Sequence, residues 1–361
     1  MPFLHPLSSL VEADGKLKGL QRLASAGLPT PQILVLSHSA FLEHEKSGFS
    51  PELFSELSKA WNELTLGGGV ITVRAAFSQK GVPILVQSQT NLPTLSHVIS
   101  AIENAWEQAK RMGATDGARL DIILQRFFES QKMGHLHTSY AAGFSLVEVL
   151  PGQVVYAMTR GETKPDRYLM RKSDACIASK EVNAKKTKMV KTAVGLKEVP
   201  TSEDEETAEV LSPRELAELV RFARRMDERF GPQEMEFAFT PDGSLIFFDS
   251  RDSRTSPNEK GFCISAGKTA GILKKVGSIA ELSTVYKDSI AVLEQPSIDL
   301  VTFLALKSSP AGVIVVGGSP SSHSATILRE AGIPAIAVES LSLAEGTKVV
   351  LDAKAGKITE F

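Results

Sequence analysis

Apolar residues recur at three- and four-residue spacing in three segments of the N-terminal part of the chain, which predicts amphipathic helices. The first of these segments ends at Gly27, and Pro29 just behind it favours a helix stop. Short apolar runs between the segments predict strands. The expected helices cover residues 15–26, 51–65 and 94–112, and the expected strands cover residues 33–36, 70–74 and 122–125. This part of the chain therefore mixes helices and strands.

The middle of the chain shows a different pattern. Apolar runs over residues 144–170 are broken by two groups of turn residues, which favours antiparallel strands. A helix is predicted over residues 212–230, with Ser212 as its N-cap. Two further strands, expected over residues 234–239 and 245–249, are joined by a turn that contains Asp242 and Gly243.

Residues 250–261 are polar, include a proline and end in a glycine, and are the best candidate for a linker. Behind them, strand and helix patterns alternate, as in a small α/β domain. The expected elements cover residues 290–293, 298–307, 313–316, 322–331, 335–338 and 347–351. We therefore expect an α/β (α+β) chain with one folded unit on each side of the linker.

The composition of the 361 residues is ordinary for a globular chain, with 42% hydrophobic residues, 23% charged residues and a net charge of −2. The near-zero charge lacks the basic bias of a nucleic-acid binder, and no apolar stretch reaches the ~18 residues that span a bilayer. The N-terminus has no signal-peptide pattern, and two cysteines are too few for a disulfide framework. We expect a cytoplasmic protein without a nucleic-acid or membrane partner.

The segment from Val313 to Pro334 carries the most informative chemistry: a buried strand, a glycine-rich loop and a helix start with His323 in its first turn. A helix N-terminus presents unpaired N–H groups and the positive end of the helix dipole, so it favours an anion. An imidazole is nucleophilic near neutral pH, so His323 could carry a phosphoryl group held by these donors. The pattern alone equally allows a polar surface histidine at a helix start.

The positions that give this segment its pattern are Gly317-Gly318, Ser321-Ser322-His323-Ser324-Ala325, Arg329-Glu330 and Gly332-Ile333-Pro334. The pattern resembles the swivelling phosphohistidine domain of the phosphoenolpyruvate (PEP) synthase and pyruvate phosphate dikinase family. In that family a glycine pair is followed by Thr-Ser-His-Ala-Ala and then by Arg-Glu-x-Gly-Ile-Pro. Ser321 replaces the threonine and Ser324 replaces the first alanine, and both changes are mild.

Positions earlier in the chain resemble the ATP-grasp nucleotide-binding domain of the same family. They are Gly15-Lys16, Ala26-Gly27-Leu28-Pro29-Thr30-Pro31, Val73-Arg74-Ala75, Gln125-Arg126, Thr163 to Tyr168, Lys188-Met189-Val190, Pro232 to Ala238 and Ile246 to Arg251. The resemblance therefore covers nearly the whole chain, and it implies that ATP is the nucleotide.

The resemblance implies a role for five side chains around the nucleotide. Lys16 and Arg74 would neutralise the phosphates, the lysine as a point charge and the arginine through its planar fork of donors. Arg251 would lie beside the same phosphates. Gln125 and Glu148 would line the adenosine or ribose end. The alternative for each charged group is a solvated side chain or a structural ion pair.

The resemblance also implies a metal site and a carrier. Glu236 and Asp249, on adjacent strands, would share Mg²⁺ with the phosphates, because Mg²⁺ prefers oxygen ligands and often takes one or two carboxylates. His323 would accept a phosphoryl group from Mg-ATP and pass it to a small molecule or a partner chain. In the dikinases this transfer cleaves ATP to AMP, and the histidine keeps the β-phosphate.

The implied domain organisation has three parts. An ATP-grasp-like domain would cover residues 1–251, with lobes of about 1–110 and 111–251. A linker would cover 252–261, and the swivelling phosphohistidine domain would cover 262–361. Full dikinases continue into a large PEP/pyruvate-binding barrel, and because the chain stops soon after the match ends, we expect no such barrel here.

Several positions depart from the family pattern. Asp249 stands where the family has glutamine, and Gln89 stands where the synthases usually have glutamate. The loop over residues 75–86 is unlike the family's serine-rich phosphate loop, and the segment 148–156 keeps only Gly152 of the family's Gly-Leu-Gly-Glu. These departures favour an alternative to an active enzyme, namely a degenerate nucleotide-binding subunit or regulator. A third possibility is a scaffold that binds no nucleotide.

Three other motifs are interpreted without a catalytic role. Residues 261–269 end in Gly-Lys-Thr, but the spacing is one residue too long for a P-loop. His135 and His137 share one face of an expected strand, and without a third ligand they are interpreted as surface residues rather than a metal pair. The basic run from Lys185 to Lys188 is interpreted as a solvated hairpin or a contact on the phosphate side.

Overall fold

The computed structural model describes residues 2–10, 15–66, 68–78, 86–112, 114, 117–141, 143–153, 164–253, 257–258, 261–294, 297–318, 322–338, 341 and 343–360. Thr163, Ser321, most of the 75–86 loop and part of the expected linker lie outside these ranges, and so do the expectations that concern them. No helix within the described ranges is both long enough and apolar enough to cross a bilayer.

The helices are, in chain order, α1 Gly15–Ser25, α2 His38–Ser47, α3 Pro51–Leu64, α4 Leu95–Arg111, α5 Glu203–Thr207, α6 Pro213–Phe230, α7 Ile298–Phe303 and α8 His323–Glu330. The strands up to the expected linker are β1 Leu4–Pro6, β2 Ile33–Leu36, β3 Ile71–Ser78, β4 Gln89–Leu92, β5 Arg119–Arg126, β6 Lys132–Ala141, β7 Phe144–Pro151, β8 Asp166–Arg171, β9 Ile177–Glu181, β10 Thr187–Lys191, β11 Leu196–Pro200, β12 Gln233–Phe239 and β13 Leu245–Asp252. The strands behind it are β14 Pro257–Asn258, β15 Gly261–Ser265, β16 Lys268–Lys275, β17 Ser289–Glu294, β18 Gly312–Val316, β19 Ala335–Val338, β20 Lys348–Asp352 and β21 Lys357–Glu360.

The first sheet has the order β1-β2-β5-β3-β4, and every pairing in it is antiparallel. Helices α3 and α4 bury their apolar stripes, including Leu57 and Trp106, against one face of this sheet. Helix α1 packs on the opposite face through Leu17, Leu20 and Leu23. The strand after residue 110, β5, joins this sheet, so the chain changes sheets after Arg126 rather than at the expected lobe boundary.

The second sheet has the antiparallel order β13-β12-β6-β7-β8-β9. Helix α6 covers one face, and its N-terminus carries a reciprocal capping box between Ser212 and Glu215, so the predicted N-cap is confirmed. Helix α1 lies between the first and second sheets and shares a core with both. The basic run is partly a hairpin, since β10 pairs with β11.

The solvated interpretation of the basic run is wrong for Lys185. Its side chain is fully buried and donates to Asp166 Oδ1 at 2.7 Å and to the carbonyl oxygen of Ala208 at 2.8 Å. A buried ammonium needs such partners because removing a charge from water is costly. Lys185 is therefore a structural residue that joins the segment after β9 to β8.

The third large sheet has the order β14-β15-β19-β18-β17-β16-β20-β21, with parallel pairing from β16 through β19. Apolar clusters cover both of its faces, as expected for parallel strands. The predicted helix over residues 298–307 is α7 followed by a π-helical turn over Leu304–Ser308. Residues 268–275 form a strand rather than a helix, so the motif over 261–269 lacks the helix that a P-loop requires.

Candidate functional site

A polar face on the second sheet collects most of the expected site residues. On β12, Glu234 and Glu236 point to one side while Met235 and Phe237 point into the core shared with α6. Cross-strand pairing then places Glu236 opposite both Asp249 on β13 and His135 on β6. We call the residues on this side of the sheet the polar face: Glu234, Glu236, Asp249, Arg251, His135, His137, Glu148 and Arg167.

Arg74 on β3 joins the first sheet to the polar face. Its Nη2 donates to Asp249 Oδ2 at 2.9 Å, and its Nη1 donates to the carbonyl oxygen of Phe248 at 2.6 Å. Nη1 also donates to Gln125 Oε1 at 3.4 Å, and the guanidinium lies over the Phe248 ring. The structure therefore brings together Arg74, Gln125 and Asp249, three residues that the sequence placed around the nucleotide.

Helix α1 brings Lys16 to the same place. The helix packs so closely on β13 that a Cβ atom added at Gly19 would lie 1.7 Å from the carbonyl oxygen of Ser250. Lys16, one turn earlier, has its Nζ 3.5 Å from the carbonyl oxygen of Ala75. Burial and the positive charge of Arg74 lower the pKa of Lys16. Two cations are thus held close together, an arrangement that favours an anionic ligand.

The carboxylates of Glu236 and Asp249 are direct cross-strand partners. Burial and the negative charge of Glu236 raise the pKa of Asp249. Burial acts in the same direction on Glu236, but the charges of His135 and Arg74 outweigh it and lower the pKa of Glu236. Two neighbouring carboxylates supply oxygen donors of the kind that a Mg²⁺ site uses. No cluster of three or more metal-ligating side chains occurs within the described part of the chain.

His323 is the first residue of α8, whose N-cap is Ser322. The side chain is half-buried, and burial lowers its pKa to about 4. The charges that act on the imidazole belong to the site already described: Glu236 raises the pKa, while Lys16 and Arg251 lower it. The imidazole is therefore neutral at pH 7, with a free electron pair on one ring nitrogen.

Helix α8 also contacts the polar face directly. Arg251 donates through Nε to Glu234 Oε2 at 3.0 Å, and its Nη2 donates to the other carboxylate oxygen. Its Nη1 donates to Thr326 Oγ1 at 2.6 Å. Arg329, farther along α8, has its Nη2 3.6 Å from Glu234 Oε2. Helix α8, which begins at His323, therefore packs on the second sheet.

Glu148 lies within the polar face rather than at an open edge. It is 2% exposed, with Arg167 Nε at 3.3 Å and His137 Nε2 at 3.8 Å. Burial alone would raise the pKa of Glu148, but its interactions with His137 and Arg167 lower it to about 2. The expectation that Glu148 and Gln125 line the adenosine end stays a prediction.

The interpretation of His135 and His137 as surface residues is wrong. Both side chains are buried, and His135 Nδ1 lies 3.6 Å from Glu234 Oε1. The sequence also gave no role to Glu234 or Thr326. The alternation of Glu234 with Glu236 was a visible signal, since residues two apart on a strand share a face. The role of Thr326 could not be predicted from the sequence, because its contact with Arg251 depends on how α8 packs on the second sheet.

Two family models match the chain. The model described as pyruvate phosphate dikinase, AMP/ATP-binding domain, matches residues 122–266. The model described as PEP-utilising enzyme, mobile domain, matches residues 285–356.

Similar proteins include a probable phosphoenolpyruvate synthase of Pyrococcus horikoshii, 24% identical over 331 residues that cover 79% of this chain and 40% of that protein. An uncharacterized phosphotransferase of Bacillus subtilis is 24% identical over 284 residues, which cover 69% of this chain and 34% of that protein. The chain thus spans about two fifths or less of the length of these relatives. Among solved structures, D-alanyl-alanine synthetase A of Vibrio cholerae matches 64% of this chain and 53% of that chain, with 13% identity and a TM-score of 0.32.

Proposed function

This chain belongs to the PEP synthase and pyruvate phosphate dikinase family, and we propose that it phosphorylates its own His323 from Mg-ATP and passes the phosphoryl group to an acceptor. One observation carries the proposal: the hydrogen bond from Arg251 Nη1 to Thr326 Oγ1 at 2.6 Å holds α8, which begins at His323, on the sheet that carries Arg251 and Glu236. This contact supports a site in which the nucleophile and the groups that would hold its phosphate donor lie together.

The cations have complementary tasks in this proposal. Lys16 and Arg74 bind and orient the phosphate chain, and Arg251 extends the positive surface toward His323. Because phosphoryl transfer is mostly positioning and charge stabilisation, a set of fixed cations is the main requirement. Glu236 and Asp249 would hold Mg²⁺, which neutralises phosphate charge when bound.

The chemical step uses the lone pair of the neutral imidazole. A ring nitrogen of His323 forms a bond to phosphorus, and the P–O bond to the leaving phosphate oxygen breaks, with its electron pair staying on that oxygen. We propose the course of the dikinases: attack at the β-phosphorus releases AMP and leaves the β- and γ-phosphates on His323. The γ-phosphoryl group then passes to water or inorganic phosphate, so the histidine keeps the β-phosphate. The positive charge of Arg251 near His323 stabilises the charge that shifts during the step.

We propose the domain division expected from the sequence: an ATP-grasp-like domain to about residue 251, a linker over 252–261 and a swivelling domain from 262. Its support is that α8 meets the second sheet through polar contacts, from Arg251 to Thr326 and from Arg329 to Glu234, which suits a unit that docks and leaves. The acceptor is a small molecule or a partner chain that receives the phosphoryl group after His323 has left the polar face.

A second candidate function has its own observation. Asp249, where the family has glutamine, places a carboxylate 2.9 Å from Arg74 and so neutralises a cation that phosphates would need. This pairing favours a nucleotide-binding subunit or regulator that does not turn ATP over. The two candidates differ in whether label from ATP ever reaches the protein.

The experiment is incubation with ATP labelled at the β-phosphate, followed by intact mass spectrometry and peptide mapping. We expect one phosphoryl group on His323, release of AMP, and no label in the His323→Ala variant. The exposed His97→Ala variant is the matched control and should label normally. Equal labelling of His323→Ala would refute the proposal. ATP binding in calorimetry without label or AMP would favour the regulator.

A further inference from the structure

Thr326 lies one turn after His323 on α8 and links the start of this helix to the second sheet. Its hydroxyl donates to the carbonyl oxygen of Ser322 at 3.4 Å, and it accepts the hydrogen bond from Arg251 Nη1 at 2.6 Å. Ser322 directly precedes His323 and caps the helix by accepting from the N–H of Ala325 at 3.2 Å. One hydroxyl therefore connects Arg251 to the backbone at which His323 is attached.

The orientation of Arg251 is fixed because its guanidinium also pairs with Glu234. The guanidinium engages both carboxylate oxygens of Glu234, and such two-point pairing fixes its plane. Glu234 is 2% exposed and belongs to β12, so its own position is set by the sheet. Glu234 alone is therefore enough to fix the direction in which Arg251 Nη1 points, without any contribution from α8.

The spacing on α8 turns His323, Thr326 and Glu330 to one side of the helix, since residues three, four and seven apart share a face. Lys16 and Arg251 act electrostatically on both His323 and Glu330, in agreement with this orientation. Arg329, next to Glu330, reaches Glu234 at 3.6 Å. The helix is consequently held at two points along its length, and both points involve the Glu234–Arg251 pair.

We propose that Thr326 is a positioning residue that fixes the docked pose of His323 at the nucleotide site through its hydrogen bond with Arg251. The proposal rests on the proposed function of His323 and adds a residue to which neither the sequence nor that function assigned a role. Arg251 Nη1 donates to Thr326, and the same guanidinium is the group that would bind phosphate in the proposed function. Thr326 then aligns the imidazole with the phosphate that Arg251 holds.

The proposal predicts that loss of the Thr326 hydroxyl slows phosphoryl transfer to His323 but leaves the affinity for ATP unchanged. Without the hydroxyl, ATP still meets Lys16, Arg74 and Arg251, so its affinity is unchanged. The docked pose, however, loses a hydrogen bond from a charged donor, which slows transfer to His323 and leaves the imidazole exposed for longer. A residue that merely supported the fold would not separate these quantities, because its loss would weaken binding and transfer together.

The experiment compares Thr326→Val, which keeps the shape and removes the hydroxyl, with Thr326→Ser, which keeps the hydroxyl. Thr302→Val is the matched control, since Thr302 also lies on a helix and its hydroxyl donates within α7, to the carbonyl oxygen of Ile298. Three quantities are measured: the rate of His323 phosphorylation at saturating ATP, the Kd for ATP, and the rate at which diethyl pyrocarbonate modifies His323 without nucleotide. Exposed His97 is the internal reference for that modification.

We expect Thr326→Val to slow phosphorylation about tenfold, the effect of losing one hydrogen bond from a charged donor, and to leave the Kd within about twofold. Modification of His323 should be severalfold faster, while Thr326→Ser and Thr302→Val behave like the wild type. If Thr326→Val proves unstable in a thermal melt, Thr326→Ala serves in its place.

The outcomes separate this proposal from the proposed function. Unchanged phosphorylation and unchanged His323 modification in Thr326→Val would overturn the positioning role, whatever the enzyme does. If wild-type His323 takes no phosphoryl group from ATP, the proposed function fails. The rates of modification by diethyl pyrocarbonate then still test whether Thr326 holds His323 in the docked pose. Faster modification in Thr326→Val supports this role, and equal modification overturns it.

Discussion

Arg74 and Asp249 come from different sheets, and the guanidinium of the arginine donates to the carboxylate at 2.9 Å. Both side chains are largely buried, so water screens the pair less than at a surface. Asp249 therefore accepts from a donor of Arg74 that the phosphates of ATP are proposed to use. Binding ATP requires this pair to open or a cation to take over the carboxylate.

The Asp249→Asn variant tests this competition. Removing the charge releases Arg74, so we expect ATP to bind severalfold more tightly in the absence of Mg²⁺, a gain of about 1 kcal/mol. The same change removes a carboxylate from the proposed metal site, so phosphorylation of His323 should require more Mg²⁺. Calorimetry with ATP in a chelator and a Mg²⁺ titration of the phosphorylation rate measure the two effects.

The exposed Asp299→Asn change on α7 is the control for a simple loss of negative charge. Metal-free ATP affinity that stays the same in Asp249→Asn would show that Arg74 does not bind phosphate. A Mg²⁺ requirement that stays the same would remove Asp249 from the metal site.

His323 makes docking sensitive to pH. Burial lowers its pKa to about 4 in the docked pose, against the usual 6.5 for an exposed histidine. The undocked state therefore binds more protons, so the docked pose is fully favoured above pH 6.5 and is lost as the pH falls from there toward 4. An NMR titration of the imidazole, assigned with His323→Ala, should give a pKa well below 6.5 that moves upward in Thr326→Val. A value at or above 6.5 in the wild type would contradict the docked pose.

A substitution at Gly19 tests whether the close packing of α1 on β13 positions Lys16. A methyl group at this residue would overlap the carbonyl oxygen of Ser250, so Gly19→Ala must push α1 away from β13. We expect a loss of about 1–3 kcal/mol in the free energy of unfolding, measured by denaturant titration, together with weaker ATP binding because Lys16 moves with the helix. At Gly277 an added Cβ would lie 3.9 Å from Glu281 Oε2, an ordinary van der Waals contact, so Gly277→Ala should change neither quantity. Normal ATP affinity in a destabilised Gly19→Ala protein would separate Lys16 from the phosphates.

The pattern of apolar residues predicted elements with a strong period and missed those without one. Helices α1, α3, α4 and α6 were predicted within a residue or two of their observed bounds, because each buries a stripe of residues three and four apart. Helix α2 was not predicted, since Ala40 is its one fully buried residue. The exposed strand β9 was missed for the same reason.

The candidate site was predictable only as separate residues. The sequence named Glu236, Asp249 and His323, but their neighbours depend on strand register and on where α8 is seated. His135 faces Glu236 because β6 pairs with β12, and no local pattern encodes that pairing. Arg251 was expected beside phosphates. It also contacts Glu234, on a neighbouring strand, and Thr326, on a helix 75 residues away.

The buried pair of Lys185 and Asp166 predicts a large effect on stability. Both side chains are fully buried, and Asp166 also accepts from the backbone N–H groups of Asn183 at 3.0 Å and Val210 at 3.0 Å. Lys185→Met leaves the carboxylate buried without its counter-charge, so we expect a loss of about 3–5 kcal/mol in the free energy of unfolding. Denaturant titration measures this loss. The exposed pair of Lys180 and Glu209 provides the control, and Lys180→Met should cost about 1 kcal/mol or less.

A double-mutant cycle shows whether the cost comes from the unpaired charge. Asp166→Asn keeps one of the two oxygens that accept from backbone N–H groups, but it leaves the Lys185 ammonium without its counter-charge, so alone it should also be costly. Combined with Lys185→Met it removes both charges, and the double variant should lose clearly less stability than the sum of the two single variants. Additive losses in the cycle would mean that packing around Lys185, rather than its charge, holds the segment after β9 against β8.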